Sequence, residues 1–164
     1  MKNLIVIRHA KSSWDYPNLA DIDRPLNGRG TRDAPFMGGL LKARGCLPDA
    51  IVCSPAVRAR MTANLIAEAV GHDSNGMVIE DAIYEQGLSG LIDVIDRLSD
   101  SWHRVYLIGH NPDLTILVGY LTGEPPAHLP TCAMASIEVG VASWQHISPG
   151  SGRLVFFDYP KRHR

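Results

Sequence analysis

A chain of 164 residues, 45% hydrophobic and 20% charged, is long enough for one domain with a sizeable core and has the composition of a soluble globular protein. A net charge of −1 gives no basis for a nucleic-acid or membrane surface, and the basic stretch "KRHR" (161–164) is too short to change that. Apolar runs fall short of the roughly 18 residues of a membrane span. The three cysteines (Cys46, Cys53, Cys132) make no C-x-x-C pair, and "MKNLIVIR" reads as a strand rather than a signal peptide. The expectation is one domain over 1–164 in a reducing, cytoplasmic setting.

Taken in chain order, the first strand is "LIVI" (4–7), which runs straight into Arg8 and His9. The polar, turn-rich stretch "DYPNLADIDRPLNGRG" (15–30) follows, and a loop of that length in a compact domain is usually functional. Thr31–Arg44 then carries Ala34, Met37, Leu40 and Leu41 as one helical stripe, with Gly45 as its stop. The strand "AIVC" (50–53) leads into a helix to Val70, with Ser54 as N-cap, Pro55 in the first position and Gly71 at the end. "MVI" (77–79) is a short strand and Leu88–Leu98 a helix. "RVYLI" (104–108) is a strand, and Asn111 caps a helix that runs from Pro112 to Leu121. "ASIEVG" (135–140) and "RLVFFDY" (153–159) are the last strands, separated only by a loop and suited to an antiparallel hairpin. The alternation predicts an α/β three-layer sandwich, a largely parallel central sheet with helices on both faces.

Three strands share one feature: polar chemistry starts where the strand ends. Arg8-His9 follows the first, Ser54 to Arg58 the second, and Gly109-His110-Asn111 the fourth. In open α/β sheets that carboxyl edge is where ligands bind. Arg58 sits in the first turn of its helix, and its side chain leans back toward the same edge. Two arginines and two histidines meeting there suit a multiply charged anion, with phosphate first because guanidinium forks match its oxygens.

The motifs "RHAKSSWD" (8–15), "DRPLNGRGTRDA" (23–34), "CSPAVRARMTA" (53–63), "IYE" (83–85) and "LIGHNPDL" (107–114) together resemble the histidine phosphatase superfamily, which includes the cofactor-dependent phosphoglycerate mutases. The likeness is greatest to the short SixA-type phosphohistidine phosphatases. It implies a phosphoglycerate-mutase-like fold and a metal-independent phosphohydrolase with no cofactor. By that resemblance His9 is the nucleophile, Arg8 and Arg58 bind phosphoryl oxygens, His110 is a further donor to them, and Glu85 occupies the place of the leaving-group acid. The implied partner is a phosphorylated protein, a histidine phosphotransfer domain among the candidates, or a small phosphorylated metabolite. A non-catalytic phosphate-binding module is the reading from a different class.

Two departures from the motif bear on the site. The usual RHG triplet reads Arg8-His9-Ala10, without the glycine's freedom. Asp15 stands where the mutase-like motif has a phosphate-facing asparagine, and a carboxylate there would repel a dianion, so Asp15 is left out of the site. The short chain also points to an open site without insertions to roof it. Plainer duties suit other residues. Arg60 faces solvent, Asp23 and Arg24 pair with each other, and Ser54 and Thr62 serve as cap and packing hydroxyl. His72, His103, His128, His146 and His163 are surface residues, while Trp14 is either core or a substrate-facing wall. Arg8 beside His9 argues against a zinc site, and the "LNGRGTR" glycines follow no strand, which excludes a dinucleotide loop.

Overall fold

Six strands build one sheet: β1 (Lys2–Arg8), β2 (Ala50–Cys53), β3 (Val78–Ile79), β4 (Arg104–Gly109), β5 (Met134–Val139) and β6 (Gly152–Asp158). Their order is β3-β2-β4-β1-β5-β6, in a computed structural model that describes residues 1–124, 126 and 128–164. β1 to β4 run parallel, β5 is antiparallel to β1, and β5 and β6 form the expected antiparallel pair.

Helices α1 (Gly28–Ala43) and α2 (Val57–Val70) cover one face, and α3 (Gly87–Asp96) and α4 (Asp113–Thr122) the other. The split is visible inside β1. Ile5 and Ile7 pack with Met37, Leu41 and Ile66, while Leu4 and Val6 pack with Leu91, Ile95 and Leu117. A strand buried on both faces reads as an unbroken apolar run, which is why "LIVI" has no polar alternation. Among the described residues, no helix is long and apolar enough to cross a membrane.

Helix starts differ from the sequence reading by one to three residues: Asn27 caps α1 with its side chain, while α2 and α4 start after Ala56 and Pro112, not at the expected caps Ser54 and Asn111. α1 begins at Gly28, since Asn27 Oδ1 accepts the Gly30 N–H at 2.9 Å. α2 begins at Val57, because Ser54 Oγ accepts the Ala56 N–H at 3.1 Å and holds Pro55 in a turn outside the helix. α4 begins at Asp113, where Asn111 Oδ1 still accepts the Thr115 N–H at 3.2 Å.

The insertion of β4 between β1 and β2 decides where the polar ends meet. The backbone N–H of His9 donates to Gly109 O (3.0 Å), and that of Ser54 donates to Ile108 O (3.1 Å). Residues from three distant parts of the chain thus stand side by side at one edge. Gly30 brings α1 up to the same edge. A Cβ there would lie 2.2 Å from the Lys11 carbonyl oxygen, so only glycine fits.

Candidate active site

His9 follows β1 and is 7% exposed. Its Nδ1 lies 2.7 Å from the carbonyl oxygen of Ala10. A carbonyl only accepts, so Nδ1 carries the ring proton and Nε2 keeps its lone pair. Burial, first, and the charges of His110, Arg58 and Arg8 push the His9 pKa down to about 3, against the upward pull of the Ala10 hydrogen bond. Sequence reasoning assigns that depression to the guanidinium groups; in the structure desolvation is the larger cause. The ring is neutral at physiological pH and presents Nε2 as a nucleophile.

Ala10 takes over without strain the place where the motif has glycine. Outside glycine, only Glu85 and Cys132 have positive φ among the described residues. The Ala10 N–H donates to Thr62 Oγ1 (3.0 Å), and Thr62 Oγ1 donates to Arg58 O (2.8 Å). Thr62 therefore ties the nucleophile's loop to the first turn of α2.

Arg58 is buried, with Nη1 donating to Asp21 O (2.7 Å) and Nη2 to Asp21 Oδ2 (3.0 Å). Arg8 donates from Nη1 to Leu129 O (2.9 Å), and burial, then the charge of Arg58, lowers its pKa. The Nε of each is buried and has no hydrogen-bond partner among the described residues. Unpaired N–H groups of buried cations are costly, and both arginines line one cleft whose charge suits an oxyanion.

His110 follows β4, its ring centroid 5.2 Å from that of His9. Its Nε2 is 2.7 Å from Ser54 Oγ. Ser54 Oγ already accepts the Ala56 N–H. Arg58 Nη2, which can only donate, lies 3.4 Å from His110 Nδ1, so Nδ1 accepts and Nε2 carries the proton and donates to the second lone pair of Ser54 Oγ. Burial, then the Arg58 charge, lowers the His110 pKa to about 4, with Asp21 opposing.

Arg8, His9, Arg58 and His110 line one cleft of about 360 Å³, together with Lys11, Ser12, Trp14, Arg24, Asn111 and Thr131. Glu85 is not brought to it; the residue is exposed, with φ 58°. Its neighbour Tyr84 packs edge-on to His110, ring centroids 5.5 Å apart. Asp15 is exposed and lies outside the cleft wall.

Sequence reasoning misses Asp21. Its carboxylate accepts from Arg58, from Arg24 Nε (3.2 Å) and from Tyr84 Oη (2.8 Å). Burial works to raise its pKa, but these hydrogen bonds and the Arg58 charge hold it down at about 2. The expected Asp23–Arg24 pair is replaced by Asp21–Arg24, because residues 21–23 form a tight helical turn that stacks side chains three apart. Asp21 is one of several acids in its loop, and only the loop's fold over α2 singles it out. Arg24 also donates to Ser12 Oγ (2.8 Å) and lies 3.7 Å from the Trp14 ring centroid. Trp14 is 73% exposed, so it is a wall of the cleft and not core.

Residues 4–89 match the histidine phosphatase superfamily (branch 1). The chain belongs to that superfamily. An uncharacterized protein of Mycobacterium tuberculosis is 34% identical to this superfamily member over 166 residues, covering 94% of this chain and 100% of its own. The solved SixA of Agrobacterium tumefaciens is 28% identical, covers 97% of this chain and 98% of its own, and superposes with a TM-score of 0.81. The protein histidine phosphatase SixA solved with tungstate, at 22% identity and TM-score 0.83 over 99% of both chains, shares the fold.

Proposed function

We propose that this histidine phosphatase superfamily member is a metal-independent phosphohydrolase that works through phospho-His9, with phosphohistidine on a protein as its substrate. The observation that carries the reading is a neutral, buried imidazole with its tautomer set by Ala10, flanked by two arginines whose Nε groups lack partners. His9 Nε2 attacks phosphorus in line, and the bond from phosphorus to the leaving group breaks. Arg8 and Arg58 stabilise the charge on the equatorial oxygens, and His110, beside them in the cleft, is the further donor once protonated. Water then attacks phospho-His9, releasing inorganic phosphate and restoring the neutral ring. The same cations that hold the phosphoryl group repel a divalent ion beside His9.

The substrate class is supported by the acids at the cleft. Among the described residues lining it there is no carboxyl group, and nearby Asp21 is held ionised by its cationic partners. An alkoxide leaving from a phosphate ester needs a proton from such an acid. The imidazole of a phosphohistidine accepts its proton on the far ring nitrogen from solvent and leaves neutral. Transfer to His9 exchanges one P–N bond for another and is close to thermoneutral. Likeness to SixA of Agrobacterium tumefaciens over nearly the whole of both chains supports the same assignment. So does the exposed rim of Trp14, Tyr16 and Leu19, which leaves room for a macromolecule.

The test is rapid quench with a labelled phosphohistidine peptide and, separately, a labelled phosphate ester. Acid-labile label on the wild-type enzyme, absent in His9→Ala, is expected. Glu85→Gln should spare peptide turnover; an equal loss on peptide and ester would return Glu85 to the chemistry and count against the phosphohistidine assignment.

A further inference from the structure

A second cleft of about 340 Å³ adjoins the one around His9, and the two share Arg8, Lys11 and Thr131. Arg29, His128 and Lys161 extend its wall away from the nucleophile. No carboxylate side chain lines it among the described residues. A third cleft shares Arg29 and adds Arg32 and Arg164, with Asp33 its one carboxylate side chain among the described residues. Asp33 is shared, since Arg29 Nε approaches it at 3.4 Å and Arg164 also bonds it. The Arg29 contact is an ion pair by distance but not an aligned hydrogen bond, and Arg29 Nε stays buried without a hydrogen-bond partner. Six cationic side chains, Arg8, Lys11, Arg29, Arg32, Lys161 and Arg164, thus face one such carboxylate on a chain whose net charge is −1. Such local concentration on a nearly neutral protein marks a binding surface for negative charge.

We propose that this basic trough binds carboxylate side chains that flank the phosphohistidine of a protein substrate. The inference rests on the phosphohistidine reading above and adds its sequence preference. The cations are spread over adjoining clefts, which suits an extended acidic segment better than one compact second phosphate. Because the trough opens from the Arg8–Lys11 wall, a chain whose phosphohistidine sits over His9 can run directly into it. Exposed charge pairs are individually weak, so the trough acts by summing several, and its contribution falls with salt.

The experiment compares phosphohistidine peptides flanked by glutamates with the same peptides carrying glutamines, on wild-type, Arg29→Gln, Lys161→Gln and the double variant. The wild type is expected to show a KM about 5–10-fold lower for the acidic peptide at low salt, with kcat unchanged. The double variant should lose that preference while keeping its turnover of the neutral peptide, which also reports that it is folded. Lys161 is exposed, so Lys161→Gln alone should lose part of the preference without a folding cost. Equal KM for both peptides on the wild type, or a preference that survives in the double variant, would overturn the trough. A selective loss by the variants on a small bisphosphorylated compound, with peptides unaffected, would overturn it in favour of a metabolite. Turnover of esters but of neither peptide would instead remove the phosphohistidine reading, and the trough's role with it.

Discussion

The cleft around His9 lies at the carboxyl ends of the parallel strands and measures about 360 Å³; a larger one, of about 690 Å³, opens around Lys2, Arg104 and Phe156 at their amino ends. Both are lined by polar and charged side chains. At the amino-end cleft the charges answer one another. Arg104 donates to Asn3 Oδ1 (2.7 Å) and Leu47 O (3.2 Å), Asp49 accepts two backbone N–H groups, and Arg44 lies over the Phe156 ring. At the carboxyl-end cleft, two buried guanidinium groups keep an unpaired Nε, and two imidazoles are held neutral far below their ordinary pKa. Polar satisfaction, not size, separates a structural cleft from a reactive one.

Mutations can break that contrast, beginning with the nucleophile. His9→Ala should lower turnover on the order of 10⁴-fold or more and abolish labelled enzyme in a quench experiment. Arg58→Ala should cost about 10²–10³-fold in kcat/KM, and Arg58→Lys should recover little of it, because an ammonium lacks the fork that meets Asp21 and the phosphoryl oxygens together. Protonation sharpens the contrast next. His9 in the folded protein has a pKa of about 3, below its ordinary 6.5, so between those values the unfolded chain binds the proton and the native state does not. Stability from this group is present in full above 6.5 and lost as pH falls toward 3, by about 2 kcal/mol at about pH 5. Urea midpoints at about pH 7.5 and about pH 5 should drop less for His9→Gln than for wild type. Ser54→Ala, which removes the partner of His110 Nε2, should lower kcat/KM about 5–10-fold with little change in fold. At the amino-end cleft Arg104→Ala should leave kcat/KM within about two-fold while costing about 1–2 kcal/mol of stability by chemical denaturation.

Much of the site was legible because its residues flank strands whose burial is written in their composition. Arg8, His9, Arg58 and His110 each sit within a few residues of a recognisable strand end, and the structure gathers all four. Glu85 was placed by motif position alone; it is exposed and is not among the residues that line the cleft. Asp21 and the hydrogen bond between His110 and Ser54 were not legible. They join residues 37 and 56 positions apart, and nothing local marks either partner.

The chain's own pattern determined the two-faced burial of β1, the order of strands and helices, and the polar residues that terminate the strands. Those are local properties, set by side-chain periodicity and capping. The tertiary structure alone decided which acid meets Arg58, which carbonyl fixes the His9 tautomer, and how deeply that ring is withdrawn from water. The first follows from the fold of residues 21–23 over α2, and the last from the placement of β4 between β1 and β2. Desolvation and hydrogen-bond partnership are properties of the assembled edge, not of any segment in it.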